Sequence, residues 1–237
     1  MWFDVPFFQW VDQKQDIIDR VRRTAQLVAV VHPSALGLSY SKSDLTRLTG
    51  YDLIEVANGP NTAEELWDAA LSSGRPVCAI ADDDTHDITD PKRLATAWTM
   101  VNAPAASADL VIAALRRGAV YGVLRTAGAP NVRATPRPAV VTAGNAVTVS
   151  IGGASGDFTF VGQRGDVRAT APRRSAATYV FTPDDHYIRP VIRSSGAGPI
   201  APRAEIDRPA TWLLRAVIIL FGGAASFALV SIDRYRR

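Results

Sequence analysis

The amino-acid sequence predicts an α/β fold, followed by a small antiparallel β domain and a C-terminal transmembrane helix. Up to residue 126, short apolar runs alternate with helical patterns, which is typical of a parallel sheet with crossover helices. From 127 to 209 the helical period disappears, and short alternating runs lie between glycine-rich turns. A strongly apolar run then covers 212–232. These observations divide the chain into segments 1–126, 127–209 and 212–232.

The first segment opens with a helical pattern over 13–24, in which apolar residues recur on one face. A capping signal formed by Thr62 and Glu65 begins a second long helix, which stops before Gly74. The other predicted elements are strands over 27–31, 52–56 and 77–81 and helices over 43–48, 91–96 and 107–117.

The second segment lacks a convincing helical period. Its predicted strands cover 146–151, 158–161, 177–181 and 187–193. Turn residues cluster between these runs, and this spacing predicts a small antiparallel β-sandwich or half-barrel.

The third segment contains an uncharged run from Ala216 to Ile232. As a helix it spans roughly 25 Å at about 1.5 Å per residue, close to the roughly 30 Å of a bilayer core. It has no polar face, so a membrane location is favoured over the alternative of a buried terminal helix. The lipid bilayer is thus a predicted partner, through a single pass. The flanking arginines leave the side of the soluble domains open.

Composition limits the classes of function. The chain has 237 residues, 47% of them hydrophobic, and a net charge of +3. No basic run is interleaved with aromatic residues, which excludes a typical nucleic-acid-binding surface. The single cysteine excludes an intrachain disulfide.

Two of the three histidines follow apolar, strand-like runs. His32 ends one run, and Asp84 and His86 follow another in a D-x-H arrangement. Alternate residues of an extended chain share a face, so Asp84 and His86 project to the same side. Oxygen and nitrogen ligands of this kind suit Zn, Mn or Fe. The neighbouring carboxylates, Asp82 and Asp83, are interpreted as solvated loop residues or helix caps.

Five motifs support a resemblance to a known family. They cover 29–33 (AVVHP), 52–59 (DLIEVANG), 66–76, 81–86 (ADDDTH) and 113–118. In this order they resemble the C-terminal half of the PHP (polymerase and histidinol phosphatase) superfamily of metal-dependent hydrolases, in its CehA/McbA-like branch. The resemblance implies a partial PHP-type (β/α)7 barrel. The family's N-terminal H-x-H and D-H motifs are absent.

The resemblance implies a divalent metal (Zn, Mn or Fe) held by His32, Asp84 and His86. It also implies that Glu55 and Asn58, at the rim of the sheet, orient a water. The substrate expected from the family is a small-molecule phosphoester or ester. On the residues alone, Glu55 could equally be a surface charge and Asn58 a turn residue.

The missing motifs lead to the expectation of a membrane-anchored hydrolase that is truncated or incomplete. A separately encoded N-terminal half is one partner that could complete it. The alternative is a non-catalytic, membrane-anchored binding or assembly module derived from the same fold.

Overall fold

The computed structural model describes residues 11–34, 40–59, 61–90, 92–125, 137–194, 217–221 and 224–230. The described α-helices are α1 (Val11–Arg22), α2 (Lys42–Arg47), α3 (Glu64–Ser72) and α4 (Ala108–Arg116). The strands are β1 (Ala29–Val30), β2 (Leu53–Asn58), β3 (Asn61–Thr62), β4 (Cys78–Asp82), β5 (Ala97–Val101), β6 (Ala119–Arg125), β7 (Pro138–Ala143), β8 (Ala146–Ile151), β9 (Gly156–Val161), β10 (Val167–Arg174), β11 (Ala176–Val180), β12 (Arg189–Ser194), β13 (Val217–Phe221) and β14 (Ala224–Val230).

The first sheet is built around β2. It pairs in parallel with β1 on one side and with β4 on the other, and its end forms a short antiparallel ladder with β3. α2 connects β1 to β2 and α3 lies between β2 and β4, as crossover helices of parallel strands do. Residues 53–57 are all buried, so β2 is covered on both faces. One of them, Glu55, carries a charge.

Two further sheets complete the described structure. The larger has the strand order β10-β9-β12-β13-β14-β6-β5, and the smaller has the order β11-β8-β7. β8 alternates strictly, with Val147, Val149 and Ile151 fully buried. They pack with Phe158 and Phe160 of β9 in a second hydrophobic core, separate from the core around β2.

The predicted fold class is wrong. Strands dominate the described residues, and no sheet among them closes into a barrel, even a partial one of the PHP type. β5 and β6, which the sequence analysis missed, pair antiparallel with each other, with α4 between them in the chain, and belong to the larger sheet. That sheet therefore draws strands from both sides of residue 126. The predicted domain boundaries stay a prediction.

The predicted transmembrane helix is also wrong. Within 212–232 the structure has the strands β13 and β14, paired antiparallel with each other, and β14 pairs with β6. β-branched residues such as Val217, Ile218 and Ile219 favour strands, and an apolar run alone does not distinguish a strand from a helix. None of the helices in the described ranges is long and apolar enough to cross a membrane. The predicted membrane localisation is corrected accordingly, and the bilayer as a partner stays a prediction.

Some helices and helix caps predicted from the sequence differ from those in the structure. The helix predicted over 91–96 is replaced by turns over 92–96. α2 is capped by Ser41, whose side chain accepts from the backbone N–H of Asp44 while the Asp44 carboxylate accepts from Ser41 N–H. α3 follows Ala63 and has no side-chain cap, because Thr62 belongs to β3.

A buried ion pair joins α3 to β12. Arg189 donates through Nε to Asp68 Oδ1 (2.7 Å) and through Nη2 to Asp68 Oδ2 (2.6 Å). Its third contact is Nη1 to Glu64 Oε2 at 2.9 Å. The guanidinium lies 5.3 Å from the ring centroid of Trp67, and Tyr187 donates its hydroxyl to Asp68 Oδ1 (2.8 Å). All of these contacts except the one to Glu64 are made at largely buried side chains, so the helix is locked to the strand.

We predict that Arg189→Met lowers the free energy of unfolding by about 3–5 kcal/mol, because Asp68 is left buried without its cation. Urea unfolding followed by circular dichroism measures the change. Arg193→Met is the matched control, since Arg193 is on the same strand and exposed; its effect should stay within about 0.5 kcal/mol. Equal losses in the two variants would refute the role given to the ion pair. The double variant Asp68→Leu/Arg189→Met should recover part of the loss.

Candidate functional site

Four polar side chains meet at the carboxyl ends of the parallel strands. His32 follows β1, Glu55 is the third residue of β2 and Asn58 its last, and Asp82 ends β4. Parallel strands place these ends at one edge of the sheet, where α/β proteins form their sites. Asn58 and Asp82 are direct partners in the β2–β4 register. The two predicted rim residues, Glu55 and Asn58, and one predicted ligand, His32, are therefore brought together.

Glu55 is the centre of this cluster. Its side chain is 2% exposed, and a buried carboxylate requires hydrogen-bond donors. Oε2 accepts from the backbone N–H of His32 at 2.6 Å, and Oε1 accepts from Asn58 Nδ2 at 3.1 Å. Glu55 is therefore not a surface charge, which was the alternative interpretation of the sequence. It links the end of β1 to the end of β2.

His32 lies at the mouth of the site. Its side chain is half-exposed, and its backbone has φ +49°, a left-handed conformation that is uncommon for residues other than glycine. The bond from its N–H to Glu55 helps to hold this conformation, which costs of order 1–3 kcal/mol.

The His32 ring has two alternative partners. Nδ1 lies 3.0 Å from Asn58 Nδ2 and 3.3 Å from Glu55 Oε2. An amide nitrogen can only donate, so the contact with Asn58 requires the neutral tautomer that carries its proton on Nε2. The protonated ring instead has an N–H to direct at Glu55. The contact with Asn58 therefore selects one tautomer of the neutral ring.

Asp82 has the most perturbed acidity in the cluster. Burial raises the pKa of its carboxyl to about 6, and a hydrogen bond with Glu55 and the charges of Glu55 and Asp84 act in the same direction. The backbone N–H of Asp84, which donates to Asp82 Oδ1 at 3.0 Å, partly opposes the shift. A carboxyl that gains and loses its proton near neutral pH is suited to acid–base chemistry.

Asp84 of the predicted D-x-H pair contacts the cluster through its backbone N–H, which donates to Asp82, while His86 contacts Asp84. His86 is exposed, and its Nδ1 contacts the backbone carbonyl of Asp84 at 2.8 Å, with Asp84 Oδ1 at 3.9 Å. Across the described part of the chain, no three His, Cys, Asp or Glu side chains are grouped so that they could hold a metal ion. The prediction of a metal-binding group formed by His32, Asp84 and His86 is corrected. The divalent cofactor stays a prediction.

Asp82 is the residue that the sequence analysis missed. It was grouped with Asp83 as a solvated loop carboxylate, whereas only Asp83 behaves as a loop residue, accepting from the backbone N–H of Ala95 at 2.7 Å. The available signal was register: Asp82 directly ends an apolar run, as Asn58 ends the preceding one.

Comparisons of the chain with protein-family models, with curated proteins and with solved structures find no match. The geometry described above therefore has to carry the functional argument by itself.

We predict that Asp82→Asn stabilises the protein above about pH 6. The raised pKa means that the folded chain holds this proton more tightly than the unfolded chain, for which the ordinary value is 3.8. The protonated Asp82 carboxyl makes its full contribution to the free energy of unfolding below pH 3.8, and this contribution is lost as the pH rises through about 6. Asparagine stays neutral and avoids the loss. Because Asp82 remains partly exposed, screening limits the gain to about 1 kcal/mol at pH 8.

Thermal unfolding at pH 4 and at pH 8 measures this effect. Asp184→Asn, a charge removal at an exposed turn, is the control and should show no such pH dependence. A gain that is the same at both pH values would contradict the assignment to Asp82.

Proposed function

We propose that the chain is a hydrolase that cleaves ester bonds of small molecules by general acid–base catalysis. One observation carries the proposal: a buried glutamate is paired with a second carboxyl that titrates near pH 6, at the carboxyl edge of a parallel sheet. Two carboxyl groups in unlike environments are a common way of providing a catalytic acid and base. His32 adds an imidazole ring at the mouth of the site.

Each residue receives a specific role in this proposal. The Asp82 carboxylate takes a proton from a water as the water oxygen bonds to the carbonyl carbon of the ester. The same proton then passes to the leaving alkoxy oxygen as its bond to carbon breaks, so that an acid and an alcohol result. Glu55 fixes Asp82 and His32, and Asn58 selects the His32 tautomer whose Nε2–H can donate to the substrate carbonyl oxygen.

The charge of the loop that follows β4 indicates which substrate charge the site favours. Asp83 and Asp84 follow Asp82 directly, and Asp87 and Asp90 come later in the same loop. The loop also carries Lys92 and Arg93, and Arg93 is 3.4 Å from Asp90. A carboxylate-rich rim repels anionic substrates. We therefore favour an uncharged carboxylic ester over the phosphoester that the family resemblance implies.

The proposal is tested with two substrates, p-nitrophenyl acetate and bis-p-nitrophenyl phosphate, each assayed with chelator and with added Mn²⁺. We expect the acetate to be hydrolysed and kcat/KM to rise with pH through about 6, as Asp82 loses its proton. Hydrolysis of the phosphodiester only with Mn²⁺ would favour the metal-dependent alternative. Hydrolysis of neither substrate above the buffer rate would reject both.

We predict that Asp82→Asn lowers kcat/KM by about 100-fold or more, the range of a lost acid–base group. Glu55→Gln should also lower it, because Glu55 positions Asp82 and His32. Glu65→Gln is the matched control, because Glu65 is exposed and paired with Lys42 at the surface. Asp82→Asn is the sharper of the two variants, since it should lose activity while gaining stability above pH 6. Retention of full activity by Asp82→Asn would exclude this residue as the base.

A further inference from the structure

We propose a second binding site, for a small dianion carrying a phosphate group, at the amino edge of the parallel sheet. A cavity of about 240 Å³ opens there between the start of β2, the start of β4 and the C-terminal end of α4. Arg75 and Arg116 line the cavity. The other lining residues include Tyr51 and Asp52, which precede β2, and Cys78, the first residue of β4. Glu55 lies three residues along the strand from Asp52 in the cavity wall, roughly 10 Å in an extended chain, and Asn58 lies six residues from it, roughly 20 Å.

Both arginines are held in place by backbone carbonyls. Arg75 donates through Nη1 to the carbonyl of Leu45 at 2.8 Å and to Ser73 Oγ at 2.9 Å. Arg116 donates through Nη2 to the carbonyl of Gln26 at 2.8 Å. Among the described residues, the remaining nitrogens of the two guanidinium groups have no hydrogen-bond partner. Each guanidinium group is therefore fixed through one of its nitrogens. Its other nitrogens can still donate hydrogen bonds to a pair of phosphate oxygens.

The carboxylate in the cavity wall does not cancel this positive charge. Asp52 is bound by Arg22 through both oxygens, at 2.6 and 2.7 Å, and Oδ2 also accepts from the backbone N–H of Val28 at 2.8 Å. Arg22 thus neutralises Asp52 from outside the cavity wall. The charges of Arg75 and Arg116 remain uncompensated, and two unpaired cations facing one cavity favour a dianion over a monoanion.

Cavity size narrows the ligand class. A volume of about 240 Å³ is below the roughly 300–1,000 Å³ of sites for drug-sized ligands. Pro76, Val77 and Leu115 form an apolar part of the wall, which can pack against a short carbon chain. Inorganic phosphate or a small phosphomonoester fits this description, whereas a polyanion such as a nucleic acid does not.

The only cysteine of the chain provides a direct probe, because Cys78 lines the cavity and is nearly buried. The experiment measures the rate at which N-ethylmaleimide, an uncharged reagent, labels Cys78 in the full chain. Inorganic phosphate, succinate and acetate are titrated separately, with NaCl added to keep the ionic strength constant. We expect phosphate to slow labelling by about tenfold when its concentration is ten times its Kd.

Two variants locate the effect. Arg116→Gln should abolish protection by phosphate, and Arg117→Gln should leave it unchanged, because Arg117 carries the same charge next in sequence but does not line the cavity. Arg75→Gln gives a second test at the opposite wall. Circular dichroism and thermal unfolding confirm that each variant is folded, and an unfolded one is replaced by the lysine substitution at the same position, which should weaken protection.

Three results would overturn the proposal. The first is labelling that phosphate slows no more than NaCl does. The second is equal loss of protection in Arg116→Gln and Arg117→Gln, which indicates nonspecific screening. The third is protection by succinate without protection by phosphate, which assigns the cavity to dicarboxylates instead.

Discussion

Burial of the Arg189 guanidinium is the constraint on which the arrangement of the sheets depends. A buried cation tolerates little freedom, because any shift of α3 relative to β12 leaves it or Asp68 without a partner. α3 begins directly after β3, and β3 pairs with the end of β2 where Asn58 lies. The position of the β12 region is therefore coupled through one helix to the edge of the first sheet that carries the candidate site.

The same principle operates on a smaller scale around Glu55. A carboxylate at the centre of an apolar strand would be unfavourable without donors, and the donors come from the chain that leaves β1 and from the end of β2. These bonds fix the geometry of the site before any substrate is present. The left-handed backbone of His32 and the raised pKa of Asp82 are both consequences of packing polar groups closely at this edge.

Parts of this structure follow from local sequence patterns. The alternation of apolar runs and helices up to Asp82 predicts the parallel β1, β2 and β4. Glu55, expected near the end of its strand, is the third of the six residues of β2. Patterns fail where two structures share one signal. An apolar run suits a helix or a strand, so β13 and β14 were missed, and the choice between Asp82 and Asp84 depended on register with Asn58.

The larger sheet also determines when the protein can finish folding. β6 ends at Arg125, yet β13 and β14, which lie between it and β12 in the sheet, come from 217–230. During synthesis, β6 and its antiparallel partner β5 emerge long before β14, the strand that covers the open edge of β6. Such non-local pairing slows folding, and an uncovered edge can pair with other chains in the meantime. The nascent chain is therefore expected to depend on chaperones until the last strands have left the ribosome.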